Sequence, residues 1–265
     1  MFFFLNVLID VQFLCKIITV NLLTSLPKSS NHEGTPMNTE FPASLMEGLP
    51  LGEKIANELR IQIIGGKLEK GSVLSENQIA ADFGTSRGPV RDALKTLSNE
   101  GLIRLERMGV VILGLTPEDM QEIYDVRILI EGFILERLSH DFNESRRNTL
   151  LHIIDKMELA AKHNDDVDFS RYDMEFHETM IRYCNHQRIF RLWNGIRPII
   201  FAALLVATKN RFARAVEGVP QLIHQHRSIV DAISEGDQEH IRQAAKDHYT
   251  EAFKTVSQSL FFFER

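Results

Sequence analysis

Cysteine is almost missing from this chain of 265 residues: Cys15 and Cys184 are the only two. They supply neither a disulfide framework nor zinc-finger spacing, which suits a reducing cytoplasm. A basic excess is missing too, since the formal net charge is −6. No bulk positive field therefore draws the whole molecule to nucleic acid or to anionic lipid. Residues 46–116 carry equal numbers of acidic and basic side chains, and the acidic surplus lies in residues 117–265. An apolar stretch at residues 2–26 is interrupted by Asn6, Asp10, Gln12, Lys16 and Asn21, a poor pattern for a bilayer span. It also lacks the basic start and small-residue cleavage site of a signal peptide. No membrane partner is expected. The length and a hydrophobic content of 44% are enough for two packed domains.

Residues 74–113 read as a short helix, a turn, a second helix carrying arginines and a small hairpin, the layout of a winged helix-turn-helix. Ser75 stands where an N-cap belongs, Ile79, Ala80 and Phe83 recur at helical spacing, and Gly84 permits the left-handed stop. Ser86 is placed to cap the next helix, where Val90, Ala93, Leu94 and Leu97 form one apolar stripe. Arg87, Gly88, Arg91 and Lys95 fall towards the other side. An arginine at the start of such a helix can donate two parallel N–H bonds to guanine, a pairing worth about 1–3 kcal/mol of base discrimination. Residues 103–106 and 110–113 read as short strands joined through Arg107, Met108 and Gly109. DNA affinity would then come from local clustering of Arg87, Arg91, Lys95, Arg104 and Arg107. The same periodicity also fits a small helical domain with a solvated basic face.

Beyond the wing the pattern is helical to the end. Thr116, Pro117, Glu118 and Asp119 make a cap with proline at N1, opening a helix to about Ser139. Further helices are expected at 144–163, 167–184, 187–209, 219–235 and 237–259, and no strand pattern, internal repeat or low-complexity linker intervenes. The fold class is mainly α: a winged helix-turn-helix domain over 46–115 and an all-helical bundle over 116–265. Asp173 and His177, one turn apart, share a face with Met174, Met180 and Ile181. His226 has apolar neighbours at helical spacing, whereas His224 shares its face with Arg227, Ser228 and Asp231. His248 lies on a stripe of Ile241, Ala244, Ala245 and Ala252, a setting that His240 and His186 lack. One aspartate and three histidines suit a divalent ion such as Zn, Ni, Mn or Fe. Separately satisfied core histidines fit the same residues. An open metal site of this composition would also suit a metallohydrolase, with Glu178 beside His177 as base, although no persuasive base stands at a useful spacing.

These motifs resemble the GntR family of bacterial transcription regulators, in its FadR-like subgroup with a helical C-terminal effector (FCD) domain. The matching residues are Gly66, Leu68, Gly71, Leu74, Ser75 and Glu76, then Gly84, Ser86, Arg87, Pro89, Val90, Arg91, Ala93, Leu94, Gly101, Leu102 and Ile103. Thr85, Asp92 and Asn77 depart from the usual Val, Glu and Arg. The resemblance implies DNA binding through Ser86, Arg87, Gly88, Pro89, Arg91, Lys95, Arg107 and Gly109, and no enzymatic activity. Many effector domains of this subgroup carry a D-x-x-x-H helix and two later histidines. That pattern implies a divalent-metal site at Asp173, His177, His226 and His248 that helps to bind a carboxylate effector. The runs ELRIQIIGG, LSENQIAADF, IRLERMGVVILGLT and EIYDVRILIEGF resemble the branch of the family governing gluconate use, which implies gluconate or another sugar acid. Arg127 and Arg197 are candidate carboxylate partners, with a helix pair between Arg127 and Glu131 as the alternative. The expected protein is a cytoplasmic homodimeric repressor that leaves double-stranded operator DNA when effector binds; a metal-independent ligand sensor is the alternative. The similarity begins near Leu51, so residues 1–45 are expected to be a non-native or disordered extension, with Met37 and Met46 as candidate starts.

Overall fold

The computed structural model describes residues 39–107, 109–214 and 218–262. Met108 of the wing turn and the apolar stretch 2–26 lie outside the described residues. Within residues 39–45, expected to belong to a loose extension, Phe41 is buried, only 5% exposed. Phe41 thus lies within the hydrophobic core although it precedes residue 46.

The reading head starts with helix α1 (Leu51–Ile64) and a two-residue strand β1 (Val73–Leu74). Ser75 caps α2 (Glu76–Asp82) by accepting the Gln78 N–H, and Gly84, at φ +57°, ends it. Ser86 occupies the N-cap of α3 (Arg87–Asn99), yet its side chain makes no capping hydrogen bond. The N3 residue is Pro89, which has no N–H to offer that side chain. Helix α3 buries Val90, Ala93, Leu94 and Leu97 against α1. Strands β2 (Ile103–Glu106) and β3 (Gly109–Ile112) form the expected hairpin, with Ile103 opposite Ile112 and Glu106 opposite Gly109. Sequence pattern missed β1, which adds to the other edge of β3 with Val73 opposite Val111. Two residues are too few to show a period of two.

Thr116 opens α4 (Pro117–Leu138) with a reciprocal capping box: its Oγ1 accepts the Asp119 N–H, and Asp119 accepts the Thr116 N–H. Helices α5 (Glu144–Lys162), α6 (Asp166–Tyr183), α7 (Gln187–Arg214), α8 (Val219–Glu235) and α9 (Gln238–Ser257) complete the bundle. Gly236, at φ +74°, separates α8 from Asp237, whose carboxylate caps α9. Helix α7 is the spine. Its segment Gln187–Ala213 is long and apolar enough to span a membrane by composition, with mean hydropathy 1.5. Burial on two sides accounts for that character: Trp193, Ile200, Leu205 and Phe212 enter the bundle core, while Ile199, Ala202, Ala203 and Ala207 enter the core shared with the reading head.

Candidate metal centre and nucleic-acid interface

Four residues meet inside the bundle because three helices turn apolar faces to one another. Helix α6 buries Phe169, Met174, Phe176, Met180 and Ile181, which carries Asp173 and His177 inward with them. Helix α8 buries Leu222, Ile223, Ile229, Val230 and Ile233 around His226, leaving His224 exposed. On α9 the small Ala244 and Ala245 leave room for His248. One ring nitrogen from each of His177, His226 and His248 lies within 4.8 Å of the others. Asp173 Oδ1 is 3.2 Å from His226 Nε2, and Asp173 Oδ2 is 3.9 Å from His177 Nε2. By contrast His240 pairs with Glu235, and His186 accepts a backbone N–H from Ile189.

The hydrogen bonds fix which nitrogens hold protons. His226 Nδ1 is 2.8 Å from the Leu222 carbonyl, an acceptor only, so Nδ1–H donates there. Its Nε2 is turned towards Asp173 without hydrogen-bond alignment. His177 Nδ1–H donates to Glu131 Oε2 at 2.5 Å, leaving its Nε2 only 3.3 Å from His248 Nε2. His248 Nδ1 has no partner among the described residues. Converging imidazole nitrogens beside a carboxylate, with His226 Nε2 unpartnered among the described residues, are the donor set of a divalent transition metal.

A buried outer layer orients these groups. Glu131 accepts three hydrogen bonds, from His177, from Tyr249 Oη at 2.8 Å and from Arg127 Nε at 2.6 Å. Burial opposes its ionisation, but His177 and Arg127 outweigh that and hold the carboxyl well below the usual range. Burial pushes His177 down, and pushes His248 down further with help from the Arg127 guanidinium. Arg127 answers Glu131, so Asp173 stands as the uncompensated charge beside the neutral imidazoles of His177 and His248. A carboxylate behind a ligand histidine is a recurring support for bound metal.

Arg127 lies between the rings of Tyr124 and Tyr249, at 5.4 and 5.3 Å, and its Nη2 is buried without a partner among the described residues. It lines a cavity of about 30 Å³ together with Asp173, His248, Thr208, Arg211 and Thr255. Arg197, the other candidate carboxylate partner, is elsewhere. It pairs with Glu178 and lines a separate cleft of about 670 Å³ between the reading head and the bundle. Glu178 thus faces Arg197 and Arg182, not the histidines, so the base considered for a hydrolase is absent from this centre. Sequence pattern offers Glu131 only as a helix partner of Arg127 and gives no sign of Tyr249 or Arg211 at this site. Their roles arise from contacts over separations such as the 118 residues between Glu131 and Tyr249, which no local pattern carries.

On the reading head, Ser86, Arg87, Gly88, Arg91 and Lys95 are exposed along one edge of α3, with Pro89 half-buried behind them. Arg91 Nε is held 2.9 Å from Glu76 on α2, while Arg87 has no ionic partner among the described residues. Arg107 is exposed at the tip of the wing. Gly109 has a structural reason of its own: at φ +152°, a Cβ there would lie 2.8 Å from the Leu74 carbonyl oxygen. Only glycine lets β1 approach β3 so closely.

Comparison with known proteins gives the same two parts. Residues 51–112 match the family described as bacterial regulatory proteins, gntR family, and residues 122–251 match the FCD domain. The chain is 40% identical over 197 residues to the gluconate operon transcriptional repressor of Bacillus subtilis (strain 168), covering 74% of this chain and 81% of that protein. This chain belongs to the GntR family. The gluconate operon transcriptional repressor of Bacillus licheniformis is 38% identical over 202 residues, covering 76% of this chain and 83% of the relative. The Escherichia coli McbR/YncC structure shares the fold with a TM-score of 0.63 at 16% identity, over 79% of this chain and 98% of that one. As a GntR-family protein it is a transcription regulator and not an enzyme, with operator DNA as the partner of its helix-turn-helix and the FCD domain as its helical bundle.

Proposed function

We propose that this GntR-family protein is a cytoplasmic homodimeric repressor of a sugar-acid operon, released from operator DNA when gluconate or a related carboxylate enters a divalent-metal site. Asp173, His177, His226 and His248 hold the ion, which is Zn, Ni, Mn or Fe. The observation that carries this reading is the buried pair of unanswered groups: the orphaned His226 Nε2 beside Asp173, and the unpartnered Nη2 of Arg127 at the cavity that Asp173 also lines. The first asks for a cation and the second for an anion. The bound ion supplies positive charge for an effector carboxylate. Arg127 offers that carboxylate a charge-assisted hydrogen bond, and Thr208, Arg211 and Thr255 face the rest of the ligand. Similarity to two gluconate operon repressors supports the choice of acid.

The small cavity suggests how binding becomes release. A space of about 30 Å³ admits water but not a sugar acid. A sugar acid enters only by moving side chains or helices, so occupancy and conformational change are one event. On the DNA side, Arg87, Arg91 and Lys95 read or neutralise the major groove, Ser86, Gly88 and Pro89 set the approach of α3, and Arg107 with Gly109 serves the wing. The domains assigned are residues 46–115 for DNA and 116–265 for effector and dimer contacts. A two-fold dimer then expects a pseudo-palindromic operator.

Linkage supplies the experiment. Operator affinity of the metal-loaded full-length protein is measured with and without gluconate, and gluconate affinity with and without operator recovered by footprinting. The two factors must agree, and chelation must abolish both. Release that survives chelation would favour a metal-independent sensor. Gluconate that binds without changing DNA affinity would remove it as the effector.

A further inference from the structure

Residues 39–46 lie upstream of the GntR family match, and none of the functions above uses them. The backbone N–H groups of Glu40 and Phe41 donate to the two oxygens of Glu58 on α1, at 2.8 and 2.9 Å. Glu58 is fully buried and also accepts from Gln62 Nε2 at 2.6 Å, so three donors satisfy a carboxylate that has no access to water. The segment is therefore bolted by its backbone to the reading head. Its side chain goes the other way. Phe41 is buried in the core of the bundle, edge-on to Phe201 of α7 with ring centroids 6.3 Å apart. Glu40 repeats the crossing at the surface, between Lys67 after α1 and Lys209 on α7.

Both anchors sit on elements that lead to a binding surface. Further along α7 from Phe201, Leu204, Thr208 and Arg211 line the cavity beside the histidines. At the N-terminal end of α1, a Cβ on Gly52 would be 3.3 Å from the Pro89 carbonyl oxygen, so α1 presses directly on the first turn of α3. These contacts form a continuous path from α7 through Phe41 and Glu58 to α1, and from α1 to the helix that carries Arg87 and Arg91.

We propose that residues 39–46 are an intramolecular strap, with Phe41 and Glu58 as positioning residues, that fixes the reading head on the bundle and passes movement of α7 to the recognition helix. The strap does not depend on what fills the cavity or on whether a metal is bound. It gives residues just before the DNA-binding domain a mechanical role.

Hydrogen exchange followed by mass spectrometry on the full-length wild type, Phe41→Ala and Phe41→Leu tests this. In Phe41→Ala, peptides covering residues 39–46, α1 around Glu58 and α7 around Phe201 should all exchange about tenfold faster or more, while α5 stays at the wild-type rate. Phe41→Leu, which refills the bundle core, should restore most of the protection on both sides. Faster exchange confined to residues 39–46 would overturn the proposal, since a passive tail gives that result. Unchanged protection of residues 39–46 in Phe41→Ala would also overturn it, because Phe41 would then not be the anchor.

Discussion

His226 Nε2 faces Asp173 Oδ1 across 3.2 Å, and the proton of the imidazole is already given to the Leu222 carbonyl on the other side of the ring. A lone pair opposite a carboxylate is repulsive in a dry interior unless a cation lies with both.

Removal of that proposed ligand should therefore be felt first in metal affinity. His226→Ala is expected to weaken binding of Zn by about 100-fold, at or beyond the upper end of what loss of an outer-layer partner costs, while operator binding without effector persists. Competition with a calibrated chelator reads the affinity. Wild-type affinity in this variant would leave the histidines with a packing role alone.

Glu131 touches no ligand position yet supports His177 and balances Arg127. Glu131→Gln keeps the shape and removes the charge. Metal affinity should drop by about 10- to 100-fold, and urea denaturation should show a loss of about 3–5 kcal/mol because Arg127 is left buried without its carboxylate. Unchanged stability would mean that water reaches Arg127 readily.

Acid should destabilise the metal-free protein through the same residues. The folded pKa values of His177 and His248 are lowered by burial, while in the unfolded chain both titrate near about 6.5. Unfolding therefore takes up protons below that pH, and stability, full above about 6.5, declines as pH falls towards the folded values. Denaturation in the presence of chelator at a series of pH values measures the slope. His248→Gln should flatten it, and a slope equal to that of the wild type would assign the acid sensitivity elsewhere.

Arg91 is not free on the reading head, because Glu76 holds it 2.9 Å away across the turn. DNA must compete for it. Glu76→Gln should thus tighten binding to all DNA sequences alike, whereas Arg87→Ala should cost about 1–3 kcal/mol and relax base preference at one position. Lys95→Ala, if the side chain meets phosphate, should reduce the salt slope by about 1. Anisotropy titrations on matched and mismatched duplexes at several salt concentrations separate the three. An Arg87→Ala chain with unaltered base preference would remove Arg87 from base contact.

Much of this protein follows from patterns only a few residues long. Ser75, Thr116 and Asp237 cap helices because their side chains reach N–H groups two or three residues away, and Gly84 and Gly236 end helices because their own φ values allow it. The burial of His226 but not His224 was legible for a similar reason: neighbours at helical spacing decide which face turns inward. Tertiary structure alone decided what those inward groups meet. Arg127 and Arg197 looked alike in sequence, but one lies between two tyrosines beside the histidines and the other pairs with Glu178 in a separate cleft. Phe41 lay in a segment expected to be loose, and it packs on Phe201 across 160 positions of chain. Periodicity records which way a side chain points from its own helix. Which partner waits there depends on helices brought together from distant parts of the chain by burial of their apolar faces, and burial is the same for any order of contacts that excludes water.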